Sequence, residues 1–242
     1  MDQPAARTRD FWAVGFAIVL PTLVTLAYFV LAARAPATVQ QLTYAVAKVV
    51  QFLFPIAWVL AVQARRPKLW NWNSQGVVFG VVFGLCIAVA MVCLYHFILR
   101  SAPFFEAAVG HIQAKIQGMN LANPITFTAL GVFYSLVHSL LEEYYWRWFI
   151  FGQLSELTRL VPAIVISSLG FMAHHVLVIG TYFGFLSPIT WVFSLSVAIG
   201  GAVWAGLYHR TGSLLGPWLS HLLVDAAIFT VGYQVAAPLL GK

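Results

Sequence analysis

Apolar runs of about twenty residues recur along the whole length of this chain, and that recurrence limits its fold more than any other feature. A helix of that length crosses the ~30 Å hydrocarbon core of a bilayer. Lipid offers the backbone no water to bond, so each run must satisfy its own N–H and C=O groups, as an α-helix does. The runs fall at about 11–33, 43–64, 75–99, 124–154, 161–183, 189–208 and 214–238. Charged residues make up 8% of the chain and hydrophobic ones 61%, against about a quarter and just under half in a soluble domain. The expected class is all-α: a polytopic transmembrane bundle of seven spans, or eight if one further short helix inserts.

The remaining bulk features fit that class. The net charge of +6 comes from residues scattered at the ends of the runs, which points to membrane orientation and away from nucleic acid. With the N-terminus cytoplasmic, Arg7, Arg9, Arg65, Arg66, Lys68, Arg159 and Arg210 lie inside. Arg34, Arg100, Lys115 and Lys242 lie outside, and Lys48 and Arg147 fall within spans. The first run is too long for a signal-peptide core and is read as a retained helix. Cys86 and Cys93 are two helical turns apart, too far for a disulfide, and are read as packing residues. Gly76, Gly80 and Gly84 recur every fourth residue, a spacing that lets a neighbouring helix come close.

The chain is read as one membrane domain, 1–242, in three parts. Residues 1–100 hold the N-terminal helices. Residues 101–123 mix Phe, Val and Ile with Glu106, His111, Gln113, Lys115 and Gln117, as an amphipathic helix at the interface does. Residues 124–232 hold the intramembrane polar groups. No internal repeat or low-complexity tract is present.

Three acidic residues, Glu142, Glu143 and Asp225, fall within spans. A carboxylate at bilayer depth costs several kcal/mol unless it is paired or hydrated, so such groups mark a functional cavity by default. The plainer alternative is a polar network that glues helices together. Glu143 and Arg147 are four apart and share a helix face, which suits an ion pair. Glu142 lies about 100° away round the helix and is expected to lack such a partner, with a raised pKa suited to general acid–base work. His174 and His175 lie in the fifth span, and His221 and Asp225 share a face of the seventh. His138 is four before Glu142. On that shared face His138 could line the cavity, but for His138 and His174 alike a structural hydrogen bond is the favoured role. Together these groups suggest a water-filled intramembrane cavity. Water activation for hydrolysis fits it, and proton or ion translocation fits it too.

Three short motifs narrow the choice. "EEYYWR" (142–147) resembles the EExxxR motif of the CAAX prenyl protease and bacteriocin-processing family, also called CPBP or ABI. "FMAHH" (171–175) resembles its FxxxH motif through Phe171 and His175. "HLLVD" (221–225) resembles its HxxxN motif, with Asp225 where Asn is commoner, and "HRTGSLLGPWLSH" (209–221) resembles the approach to it. The resemblance implies an intramembrane endopeptidase of the glutamic type. By it, Glu142 would be the general base, with His175 on the attacking water. His221 and Asp225 would stand on the oxyanion side, and Glu143 with Arg147 would be the supporting pair. An ionised Asp225 cannot donate to an oxyanion as Asn does, so its expected task is to orient His221 or to act protonated.

No cofactor is expected. The alternative is a zinc ion on Glu142, His175 and His221, although the chain has no HExxH. A serine mechanism lacks its GxSG motif: Gly212-Ser213 is read as the cap of the last helix. An aspartyl GxGD site is also missing. The expected partners are the lipid bilayer and a membrane-anchored or lipidated protein or peptide, with no nucleic acid. The expected location is a bacterial inner membrane. The rival functions are an inactive family member serving as a scaffold or immunity-type binding protein, and a proton-coupled transporter. A transporter would be expected to show repeats and broken helices.

Overall fold

The computed structural model describes residues 3–32, 35–67 and 71–240. Arg34, Lys68 and Lys242, which entered the orientation reading, lie outside the described residues. Seven helices are long and apolar enough to cross a membrane. They are α1 (Pro4–Leu31), α2 (Thr38–Val62), α3 (Ser74–Ser101), α5 (Pro124–Leu157), α6 (Leu160–Phe183), α7 (Pro188–Thr211) and α8 (Leu215–Ala236). A shorter helix, α4 (Pro103–Gly118), lies within the stretch read as amphipathic. No strand occurs among the described residues. Large apolar side chains such as Val161, Leu169 and Val192 point outward from the spans, as a lipid-facing surface requires. The chain is an integral, multi-pass membrane protein.

Local chemistry explains where the helices begin and end. Proline opens α4, α5 and α7, at the turn where its missing N–H costs nothing. Asn73 caps α3 by accepting from the Gly76 N–H at 2.7 Å. Asn123 caps α5 through the Ile125 N–H at 2.9 Å. Gly212, at φ +62°, ends α7 in the left-handed conformation that glycine adopts without strain. The buried Ser213 hydroxyl, just before the last helix, donates to the Asn71 carbonyl. The first span starts earlier than its apolar run, because Arg7 and Arg9 are carried within its first turns.

The chain divides into two compact units. The first comprises Met1–Asn71 and Glu143–Leu214. Its core holds Ala13, Val14 and Ala17 of α1 with Tyr145, Trp146, Phe149 and Ile150 of α5. The Tyr145 hydroxyl donates to the Ala17 carbonyl at 2.7 Å, so a deeply buried phenol keeps its bond. Gly170 gives the Trp146 ring and Ile18 room to pass. At one end of this unit, Arg7 donates to the Leu157 carbonyl at 2.6 Å and Gln63 bonds Gln153 at 2.8 Å. Arg65 meets Glu156 at 2.8 Å, and that hydrogen bond raises the guanidinium pKa further.

The second unit comprises Trp72–Glu142 and Leu215–Lys242. Here α3 lies directly against α8. A Cβ on Gly80 would run into the Gly216 carbonyl oxygen, and one on Gly84 would stand 2.8 Å from Ser220 Cα. The glycine repeat is thus a backbone-to-backbone crossing. Cys86 and Cys93 are free and exposed on α3, so they pack against neither helix face of this crossing. The short α4 buries Phe105, Ala108 and Ile116. Ile116 joins Phe127 and Ala236 in a small core, and Gln113 donates to the Val235 carbonyl at 2.9 Å.

Span α5 is not a uniform α-helix. It widens into a π-helical turn at Tyr134–His138, returns to α geometry over Ser139–Glu143, and widens again over Tyr144–Phe151. The two glutamates sit on the short α segment between these π stretches. Such bulges are uncommon and gather at functional sites.

Candidate active site

The division between the units falls between Glu142 and Glu143, so the six residues singled out in the sequence form two local groups. Glu142, His221 and Asp225 belong to the second unit. Glu143, Arg147 and His175 belong to the first.

In the second unit, Glu142 is buried, with 5% of its surface exposed. Its Oε2 lies 3.7 Å from His221 Nε2, and the same nitrogen lies 3.6 Å from Asp225 Oδ1. One imidazole nitrogen therefore faces two carboxylates. The expectation that Glu142 lacks a partner is corrected on its other side as well: Oε1 lies 3.3 Å from His138 Nε2. The helical spacing that puts Arg147 beside Glu143 also puts His138 beside Glu142. From the sequence, His138 is expected on the same face as Glu142, with a structural hydrogen bond the favoured role and cavity lining the other.

The surroundings hold these groups in place. Tyr134 lies against the His138 ring, centroids 4.6 Å apart, and against Phe229 of α8 at 5.6 Å. Within the first π turn, Leu136 offers its carbonyl to Trp218 Nε1 of α8 at 3.0 Å. Ser139 donates to the Ser135 carbonyl. The Trp218–Leu136 bond and the Tyr134–Phe229 contact thus tie the π turn to the helix bearing His221 and Asp225.

In the first unit, Glu143 and Arg147 are fully buried and meet at 3.1 Å. The guanidinium lies 4.6 Å from the centre of the Phe171 ring and 4.9 Å from that of Trp204. Two aromatic faces therefore attract a cation that has no bulk water. Gly201 leaves the space this requires, since a Cβ there would stand 3.4 Å from Arg147 Nη2 and 3.3 Å from Phe171. Phe171 thus has a physical task besides marking a motif, and Trp204 belongs to the same arrangement although no pattern in the sequence distinguished it.

His175 Nδ1 lies 2.9 Å from the Phe171 carbonyl. A carbonyl only accepts, so Nδ1 carries the proton and Nε2 of the neutral ring is left as an acceptor. His174 is buried and lies flat on the Trp146 ring at 5.8 Å. Ring stacking is one of the contacts that hold it. Among the described residues no three His, Cys, Asp or Glu side chains are grouped as ligands of one metal ion.

The chemistry open to the second-unit group follows from its geometry. A carboxylate flanked by imidazoles can accept a proton from water and pass it on, and the paired histidine can carry charge in the process. No curated protein and no solved structure matches the chain. Residues 124–227, the stretch carrying all three motifs, match the family model for type II CAAX prenyl endopeptidase Rce1-like proteins, and this is the CAAX-protease family that the motifs resemble.

Proposed function

We propose that this protein is an intramembrane endopeptidase that hydrolyses a peptide bond of a membrane-anchored or lipidated protein, with Glu142 as general base. The observation that carries this is the buried Glu142 carboxylate facing His221 Nε2 at 3.7 Å, inside the segment matched to an endopeptidase family. In the reaction, Glu142 accepts a proton from water as the water oxygen bonds to the scissile carbonyl carbon. The carbonyl π electrons move to oxygen. When the tetrahedral intermediate collapses, the C–N bond breaks and the proton passes to the departing amine. His221, protonated, offers its N–H to the negative oxygen. Asp225 Oδ1 faces the same nitrogen at 3.6 Å and orients the ring.

By the motif resemblance alone, His175 would be the residue on the attacking water, and Glu143 with Arg147 the supporting pair. A buried location for the base favours a substrate that arrives within the membrane.

The test is cleavage of membrane-anchored peptides, prenylated and unprenylated, by the protein in lipid vesicles, with and without a chelator. Wild type cleaves. Glu142→Gln and His221→Ala lose at least about a hundredfold in kcat, the scale of losing an acid–base group. Full activity in Glu142→Gln refutes the assignment. Loss on chelation with recovery on added zinc replaces the metal-free reaction with a zinc-dependent one.

A further inference from the structure

We propose that His138 is a positioning residue for Glu142: it holds Oε1 so that Oε2 stays turned to His221. This rests on the endopeptidase assignment and adds a residue outside the three family motifs. Four observations point to it.

The first is the geometry of Glu142 itself. Its two oxygens face different imidazoles, His138 on one side at 3.3 Å and His221 on the other at 3.7 Å. A buried carboxylate rotates about its last bond unless both oxygens are held. A general base that rotates loses the alignment of its lone pair with the water it deprotonates. Held at Oε1, Glu142 keeps an aligned acceptor, because a carboxylate has about four lone-pair sites.

The second is that His138 is itself held. Its ring lies against Tyr134 at 4.6 Å, and Tyr134 lies against Phe229 at 5.6 Å. Phe229 and His221 are both on α8. The same helix therefore places His221 directly and His138 through two rings. The third is the π turn Tyr134–His138, which ends on this histidine just before the α segment that bears Glu142. Its carbonyl at Leu136 is bonded by Trp218, again from α8. The fourth is burial: the His138 side chain is 14% exposed and the Glu142 side chain 7%, so water competes little for the bond between them.

The experiment compares His138→Phe and His138→Gln with wild type. Phe keeps a ring against Tyr134 and removes the N–H. Gln keeps an N–H donor of similar reach. In the vesicle assay, His138→Phe lowers kcat by about 10- to 100-fold with KM within about twofold, as a misaligned base does, and His138→Gln recovers most of the loss. A second measurement needs no substrate: the Glu142 carboxylate stretch, isolated by infrared difference against Glu142→Gln, shifts in His138→Phe and stays near wild type in His138→Gln. Wild-type kcat and an unmoved band in His138→Phe overturn the proposal. So does equal loss in both variants together with a lowered melting temperature, which marks a packing role only. A shifted band in a protein whose wild type cleaves none of the peptides refutes the endopeptidase assignment and leaves the holding of Glu142 standing.

Discussion

A carboxylate removed from water is stable only if something else supplies the charge it faces, and Glu143 shows what happens when that supply is complete. Arg147 pairs with it at 3.1 Å while the guanidinium carbon lies over the Phe171 and Trp204 rings. Removing one member of such a pair strands a buried charge, at a cost of about 3–5 kcal/mol. Arg147→Met should therefore lower the melting temperature sharply in detergent, and Glu143→Gln in the same chain should restore much of the loss. Arg147→Lys should recover only part, because an ammonium lacks the planar group that lies over the two rings. The Arg65–Glu156 pair is the contrast. Both side chains are 56% exposed, and exposed pairs contribute about 0–1 kcal/mol. Arg65→Ala should leave the melting temperature nearly unchanged. Glu142 differs from both, since it meets imidazoles whose charge depends on protonation, which suits proton transfer better than permanent neutralisation.

Among the helices, the crossing of α3 and α8 matters most to the second unit. Gly80 meets the Gly216 carbonyl with no space for a methyl group. Gly80→Ala must push the helices apart or bend one of them, and overpacking of this kind costs about 1–3 kcal/mol. Because α8 also carries His221 and Asp225, activity should fall along with stability. Gly206→Ala on α7 is the control: nothing stands within 4 Å of its Cβ position, and Ala favours helix over Gly by about 1 kcal/mol, so stability should hold or rise. Within α5, the two π stretches go beyond the plain helical reading of 124–154. A π turn leaves the composition of a span unchanged, so composition does not reveal it.

For the whole molecule, the seven apolar helices make a topological claim. An odd number of spans would put the start of α1 and the end of α8 on opposite faces of the membrane, and the positive-inside rule, applied to the arginines and lysines, predicts that α1 starts inside. Reporters fused before Arg7 and after Ala236 should therefore report opposite compartments. Reporters on the same side would remove a span from the count. Outward positions should also behave as lipid contacts. Leu169 is 52% exposed midway along α6, and Leu169→Arg should cost about 2.5–3.5 kcal/mol in an insertion assay.

The fold class was legible in the sequence because crossing a bilayer needs length and apolarity, both of which are local properties of a chain. The i, i+4 pairs Glu143–Arg147 and His221–Asp225 were legible for the same reason: one helix sets their spacing, whatever surrounds it. The Glu142 environment was not. His138 has the same spacing from Glu142, yet its task depends on Tyr134, Phe229 and the π turn that aim its ring. The meeting of Glu142 with His221, and of Arg147 with Trp204, joins residues far apart in the chain. Only packing between helices brings such side chains together, because a span's own periodicity says which residues share a face and not which neighbour that face meets.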